Sequence, residues 1–137
     1  LSLATGSHRG VAPFLIEDVT PRSERIPQTF HHRNGVTGID KVRVAVGELA
    51  QIEKWYGSLL GKRGTAITVA DLGAEGLRFE VGPHIFEFLT PSDAASPLVD
   101  WLRRFGPSPY STVLIGDALL LKPFDPRLTH GTHLFVK

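Results

Sequence analysis

The sequence predicts an α+β domain centred on a βαβββ unit, a mostly antiparallel sheet with helices on one face. Three observations lead there. Residues 39–46 alternate in polarity with a period of two, and residues 47–60 switch to a helical period. Three short strand-like runs divided by glycine turns then follow up to residue 89.

Residues 1–10 contain Gly and Ser without pattern, and Phe14, Leu15 and Ile16 form a short apolar strand. Residues 18–28 carry Pro21, Pro27 and several charges and read as a linker or surface loop. His31-His32-Arg33-Asn34-Gly35 is a turn signal. In the first regular strand Val42, Val44 and Val46 share one face, and Ile39, Lys41, Arg43 and Ala45 share the other. Leu49, Ile52, Tyr56 and Leu59 recur at helical spacing, with Trp55 and Leu60 beside them and Gly61 placed to end the helix.

Residues 65–72 form the next strand, closed by the turn Gly73-Ala74-Glu75-Gly76. Residues 77–81 and 84–89 follow, parted by Gly82 and Pro83. Val42, Val44, Val46, Phe86 and Phe88 are expected to bury against Ile52, Tyr56 and Leu59. A second helix starts at Ser96, a good N-cap, with Pro97 at the first helical position. Leu98, Leu102 and Phe105 share its face and Gly106 ends it. Residues 110–115 read as a strand, residues 118–121 as a segment pairing back, and residues 133–136 as a short last strand.

Composition narrows the function classes. A chain of 137 residues, 42% hydrophobic and 21% charged, suits one domain with one core. Fifteen basic and fourteen acidic residues nearly cancel and are scattered, which argues against a nucleic-acid partner. The absence of cysteine excludes disulfides, thiolate metal sites and a cysteine nucleophile. Apolar runs such as Ala118 to Leu121 are far too short to span a bilayer, and no signal-peptide pattern opens the chain, so a cytoplasmic protein without a membrane partner is expected. With no methionine and Leu1 first, the chain is expected to be a processed product or a fragment.

Several motifs carry a resemblance. Asn34-Gly35-Val36-Thr37-Gly38-Ile39, followed by residues 40–46, resembles the opening strand of the glyoxalase-like domains of the vicinal oxygen chelate superfamily. Trp55-Tyr56-Gly57-Ser58-Leu59-Leu60-Gly61 resembles that family's helix end, and Ile85-Phe86-Glu87-Phe88-Leu89-Thr90-Pro91 its fourth strand. Pro13-Phe14-Leu15-Ile16-Glu17 resembles the closing strand of a preceding unit. The resemblance covers most of residues 12–110 and divides the chain into an N-terminal extension with linker, 1–35, and a glyoxalase-like module, 36–137. It implies two such units pairing around a cup, with the missing half supplied by a second chain, a second module or an unusual course of residues 107–137. A homodimer through the sheet edges is the expectation.

The family's cup often holds a divalent metal on two histidines and one or two glutamates. The resemblance places Glu87 at the fourth-strand glutamate, and Lys41 where the first-strand histidine would stand. Lys41 and Glu87 would face each other. An ammonium has no lone pair and cannot ligate a metal. Glu87 therefore reads either as a metal ligand and catalytic carboxylate or as the ion-pair partner of Lys41. Arg43 points to the same face, so Lys41 and Arg43 read either as binders of a carboxylate or phosphate, or as a solvated strand face. Glu17 stands near the glutamate that closes the preceding unit and is a further candidate metal ligand or base. The cofactor expectation is none, or one divalent metal of unspecified identity.

Other residues carry less. His31 and His32 are adjacent in a turn, His130 and His133 fall on opposite faces of a strand, and His84 flanks a hairpin turn, so spacing alone closes no metal site. Trp55, Tyr56 and Trp101 read as core. The glycines are dispersed, and no nucleophile-elbow motif is present. Three functions follow: a small-molecule-binding domain with a degenerate metal site and an anionic ligand; a metal-dependent lyase, isomerase or dioxygenase completed by a partner module; or a non-catalytic interaction module of a larger protein.

Overall fold

The structure is a computed structural model and describes residues 11, 17–27, 32–116, 124–125, 127–129 and 131–137. The strand expected at Phe14 to Ile16, the segment at 118–121, and His31 and His130 lie outside these residues.

A short helix α1 (Arg22–Arg25) interrupts the segment expected to be a loop. Then come β1 (Val36–Ala45), α2 (Leu49–Leu60), β2 (Thr65–Val69), β3 (Ala74–Val81), β4 (His84–Pro91), α3 (Pro97–Phe105), β5 (Ser108–Gly116) and β6 (His133–Val136). The strands form one six-stranded sheet in the order β2-β3-β4-β1-β5-β6. Neighbours run antiparallel except β1 with β4 and β5 with β6. The βαβββ unit is thus present, and β5 and β6 extend its sheet beyond β1.

Alternation along the strands sorts the core into two clusters. Val44, Val46, Phe79 and Phe88 are buried against Ile52 and Tyr56 of α2, with Val42, Leu77 and Phe86 packed around them. The Tyr56 ring lies 4.3 Å from Phe88 and 5.6 Å from Phe79, and its hydroxyl donates to the Val11 carbonyl at 2.8 Å. Leu59 does not take the core position expected of it. It is exposed, and Leu60 packs there instead. α2 therefore covers one face, but α3 does not join it there, contrary to the expectation of helices on one face. Ala45, Ala74 and Leu89 have the opposite parity and bury with Leu98 of α3 and with Tyr110. α3 thus packs over one end of the other face, and among the described residues no other helix covers that face.

Two local expectations shift. β2 ends at Val69, and a 3-10 turn, Ala70–Leu72, carries the chain over. Gly73, at φ +51°, closes that turn, so Ala74 to Gly76 already belong to β3 rather than to a turn. The second helix starts as expected: Ser96 Oγ accepts from the Leu98 N–H at 3.3 Å, with Pro97 next in the chain.

Candidate functional site

The open face of the sheet carries the chemistry. Phe86 and Phe88 point into the α2 core, so the intervening Glu87 must point the other way. Strand register then builds a row across the sheet. Arg78 on β3 faces Glu87 on β4, which faces Arg43 on β1, which faces Ser111 on β5, which faces His133 on β6. Lys41, two residues before Arg43, stands on the same face opposite Ile85.

Glu87 is only 1% exposed, and three cations converge on it. Lys41 Nζ donates to Oε1 at 3.1 Å and Arg43 Nε to Oε2 at 3.0 Å. Arg78 donates twice to Oε1, from Nη2 at 2.7 Å and from Nε at 3.2 Å. Burial alone would raise the Glu87 carboxyl above its ordinary range. The hydrogen bonds from Arg78, Arg43 and Lys41, with the Lys41 charge, outweigh it and hold the group below that range. The carboxylate is therefore ionised at neutral pH. Its countercharges remain partly open to solvent, at 17% for Lys41, 16% for Arg43 and 37% for Arg78.

Three cations against one carboxylate leave a positive excess. Asp71, on the 3-10 turn at the rim, approaches Arg43 at 3.7 Å and offsets part of it, but is itself mostly exposed. The ammonium and the two guanidinium groups carry more N–H groups than their hydrogen bonds to Glu87 use. The donor set does not suit a divalent ion. Such an ion would meet an ammonium and two guanidinium groups, and among the described residues no three His, Asp or Glu side chains are placed to hold a metal.

The placement of the expected site residues is mixed. Lys41, Arg43 and Glu87 are brought together. Glu17 is exposed and lies outside the network. Arg78 was not singled out by sequence reasoning, although its alternation with Leu77 and Phe79 could have placed it on this face. Ser111 and Tyr110 had no sequence signal, because the register slips by one residue between Arg43 and Val44. That bulge turns Tyr110 towards the same face as Ser111, and both are buried. Burial pushes the Tyr110 phenol up, the Arg43 charge opposes this and Asp71 adds to it, so the phenol lies within electrostatic reach of both.

Comparison with solved structures bears on this architecture. Methylmalonyl-CoA epimerase from Mycobacterium tuberculosis superposes with a TM-score of 0.67 at 17% identity, over 78% of this chain and 91% of that one. A hypothetical protein from Bacillus halodurans C-125 gives 0.62 at 15% identity, over 72% and 93%. A variant of the Streptomyces coelicolor methylmalonyl-CoA epimerase, in complex with 2-nitronate-propionyl-CoA, gives 0.59 at 16% identity, over 74% and 96%. The chain shares the fold of these structures, the glyoxalase-like βαβββ arrangement. No protein-family model and no curated protein matches the chain. Among the described residues, no helix of this glyoxalase-like domain is long and apolar enough to cross a membrane.

Proposed function

We propose that this glyoxalase-like domain binds an anionic small molecule on the open face of its sheet, through Lys41, Arg43 and Arg78. One observation carries the reading: three cations converge on a single buried glutamate and outnumber it. In this reading Glu87 is the anchor that holds the cations parallel and close. With both oxygens already accepting hydrogen bonds and its pKa held low, it is a weak proton acceptor. A carboxylate or phosphate ligand would accept the N–H groups that Glu87 leaves free.

The metal-dependent lyase, isomerase or dioxygenase is the weaker alternative, since Lys41 and the two arginines would have to be displaced or neutralised before a divalent ion could sit beside Glu87. Glu17 as a ligand would need to reach the cup from an exposed position. The structural likeness to epimerases that bind acyl-CoA compounds supports a small-molecule ligand, and a coenzyme A thioester bearing a carboxylate falls within the proposed class. Completion of the cup by a second copy along the sheet edges is the proposed assembly, and a monomeric mass in solution at micromolar concentration would refute it.

The test is calorimetric titration of the purified chain with acetate, phosphate and methylmalonyl-CoA. Saturable binding of at least one, weakened about tenfold or more by Lys41→Met in a folded variant, supports the reading. Binding of none, or binding untouched by Lys41→Met and by Arg78→Gln, would reject it.

A further inference from the structure

The open face holds a second feature beside the cation cluster. A recess of about 200 Å³ lies between α3, β5 and the turn before β6, lined by Trp101, Phe105, Tyr110 and Ser111 among others. Three of its lining residues are aromatic, and two of these stand at right angles. Tyr110 meets Trp101 edge-on, with centroids 5.3 Å apart and planes at 88°, and stacks on His133 at 4.9 Å and 23°. Phe105 is 56% exposed, a large apolar ring left at the rim, with its centroid 4.5 Å from that of Trp101. The Trp101 indole N–H is already committed to Ser108 Oγ at 3.0 Å.

Ser111 gives the recess a polar contact. Its side chain is 2% exposed, yet Oγ has no hydrogen-bond partner among the described residues. A buried hydroxyl without a partner is costly, and a ligand atom can remove that cost. Ser111 is also the strand partner of Arg43, so it links the recess to the row of residues that carries the cation cluster. Tyr110, the opposite wall, is close enough to feel the Arg43 charge.

We propose that the ligand is an aryl carboxylate, with its ring in the recess of Trp101, Phe105 and Tyr110, its carboxylate on Arg43 and the neighbouring cations, and Ser111 Oγ hydrogen-bonded to it where the two meet. The proposal rests on the anion-binding reading and specifies the ligand class. The volume suits one aromatic ring, since a cavity of about 150 Å³ accepts benzene. Perpendicular aromatic walls offer a ring both face and edge contacts, which an acyl chain cannot use. The slip in register in β5 has the role expected of a bulge beside a ligand, presenting two successive side chains to one face.

The test compares benzoate with acetate, which share a carboxylate and differ in the ring. Calorimetry on the full chain should show benzoate binding at least about tenfold more tightly. The Trp101 indole N–H resonance should shift with benzoate and not with acetate. Phe105→Ala, at an exposed position, should bring benzoate down towards acetate, and Ser111→Ala should weaken benzoate about fivefold. Equal affinity for the two acids would overturn the aryl proposal while leaving the anion site standing. Tight benzoate binding indifferent to both substitutions would also overturn it, because the ring would lie elsewhere. Binding of neither acid would overturn the aryl proposal, and the anion-binding reading falls with it only if phosphate and the coenzyme A thioester also fail to bind.

Discussion

Arg43 and Glu87 are direct strand partners across the parallel seam of β1 and β4, with Nε 3.0 Å from Oε2. Arg78 is the partner of Glu87 on its other flank. A buried carboxylate is thus held from both neighbouring strands, and the countercharge ties together the middle of the sheet.

Glu87→Gln should therefore destabilise the fold by about 3 kcal/mol, because it leaves three cations packed together without their anion. Lys41→Met should cost on the order of 1 kcal/mol, since two guanidinium groups still satisfy the carboxylate. Urea unfolding of the two variants checks the ordering, and equal losses would contradict it.

Acid should weaken the protein through the same group. The Glu87 pKa is lower folded than unfolded, so its contribution is fully present above the unfolded value of about 4.5 and is lost as pH falls through the folded value. Stability measured from pH 6 downwards should fall below about pH 4.5, and Glu87→Gln should show a flatter profile across that window.

Divalent metal should not stabilise the protein. Adding zinc, manganese or nickel to the dialysed chain is expected to leave Tm unchanged, because a binding ion raises Tm only through affinity for the folded state. A clear rise in Tm, lost in Glu87→Gln, would restore Glu87 as a metal ligand.

Gly76 should tolerate no side chain. A Cβ there would collide with the Phe88 carbonyl oxygen and come within 2.7 Å of Leu89 Cδ2. The obstruction is backbone and cannot rotate away. Gly76→Ala should cost at least about 1–3 kcal/mol in thermal or urea unfolding, more than the same change at the unobstructed Gly47.

Much of the site was legible in the chain. The polarity of residues 41–46 and 85–88 placed Lys41, Arg43 and Glu87 on the face away from α2 without any tertiary information. The pairing within that face was less legible. Sequence reasoning set Lys41 against Glu87, whereas Arg43 is the registered partner and Lys41 reaches the carboxylate by the length of its side chain. Arg78 was missed because only the register of β3 against β4 shows that it stands opposite Glu87.

What the sequence determined alone is therefore the kind and order of elements and the face on which each strand residue lies. These follow from periods of two and 3.6, which are local properties of the backbone. Only the tertiary structure decided which residues meet: the three cations around Glu87, the slip in register that brings Tyr110 beside Ser111, and the packing of α3 over one end of the open face. Register and bulges depend on partners distant in the chain, and a shift of one residue changes every contact while leaving the local pattern untouched.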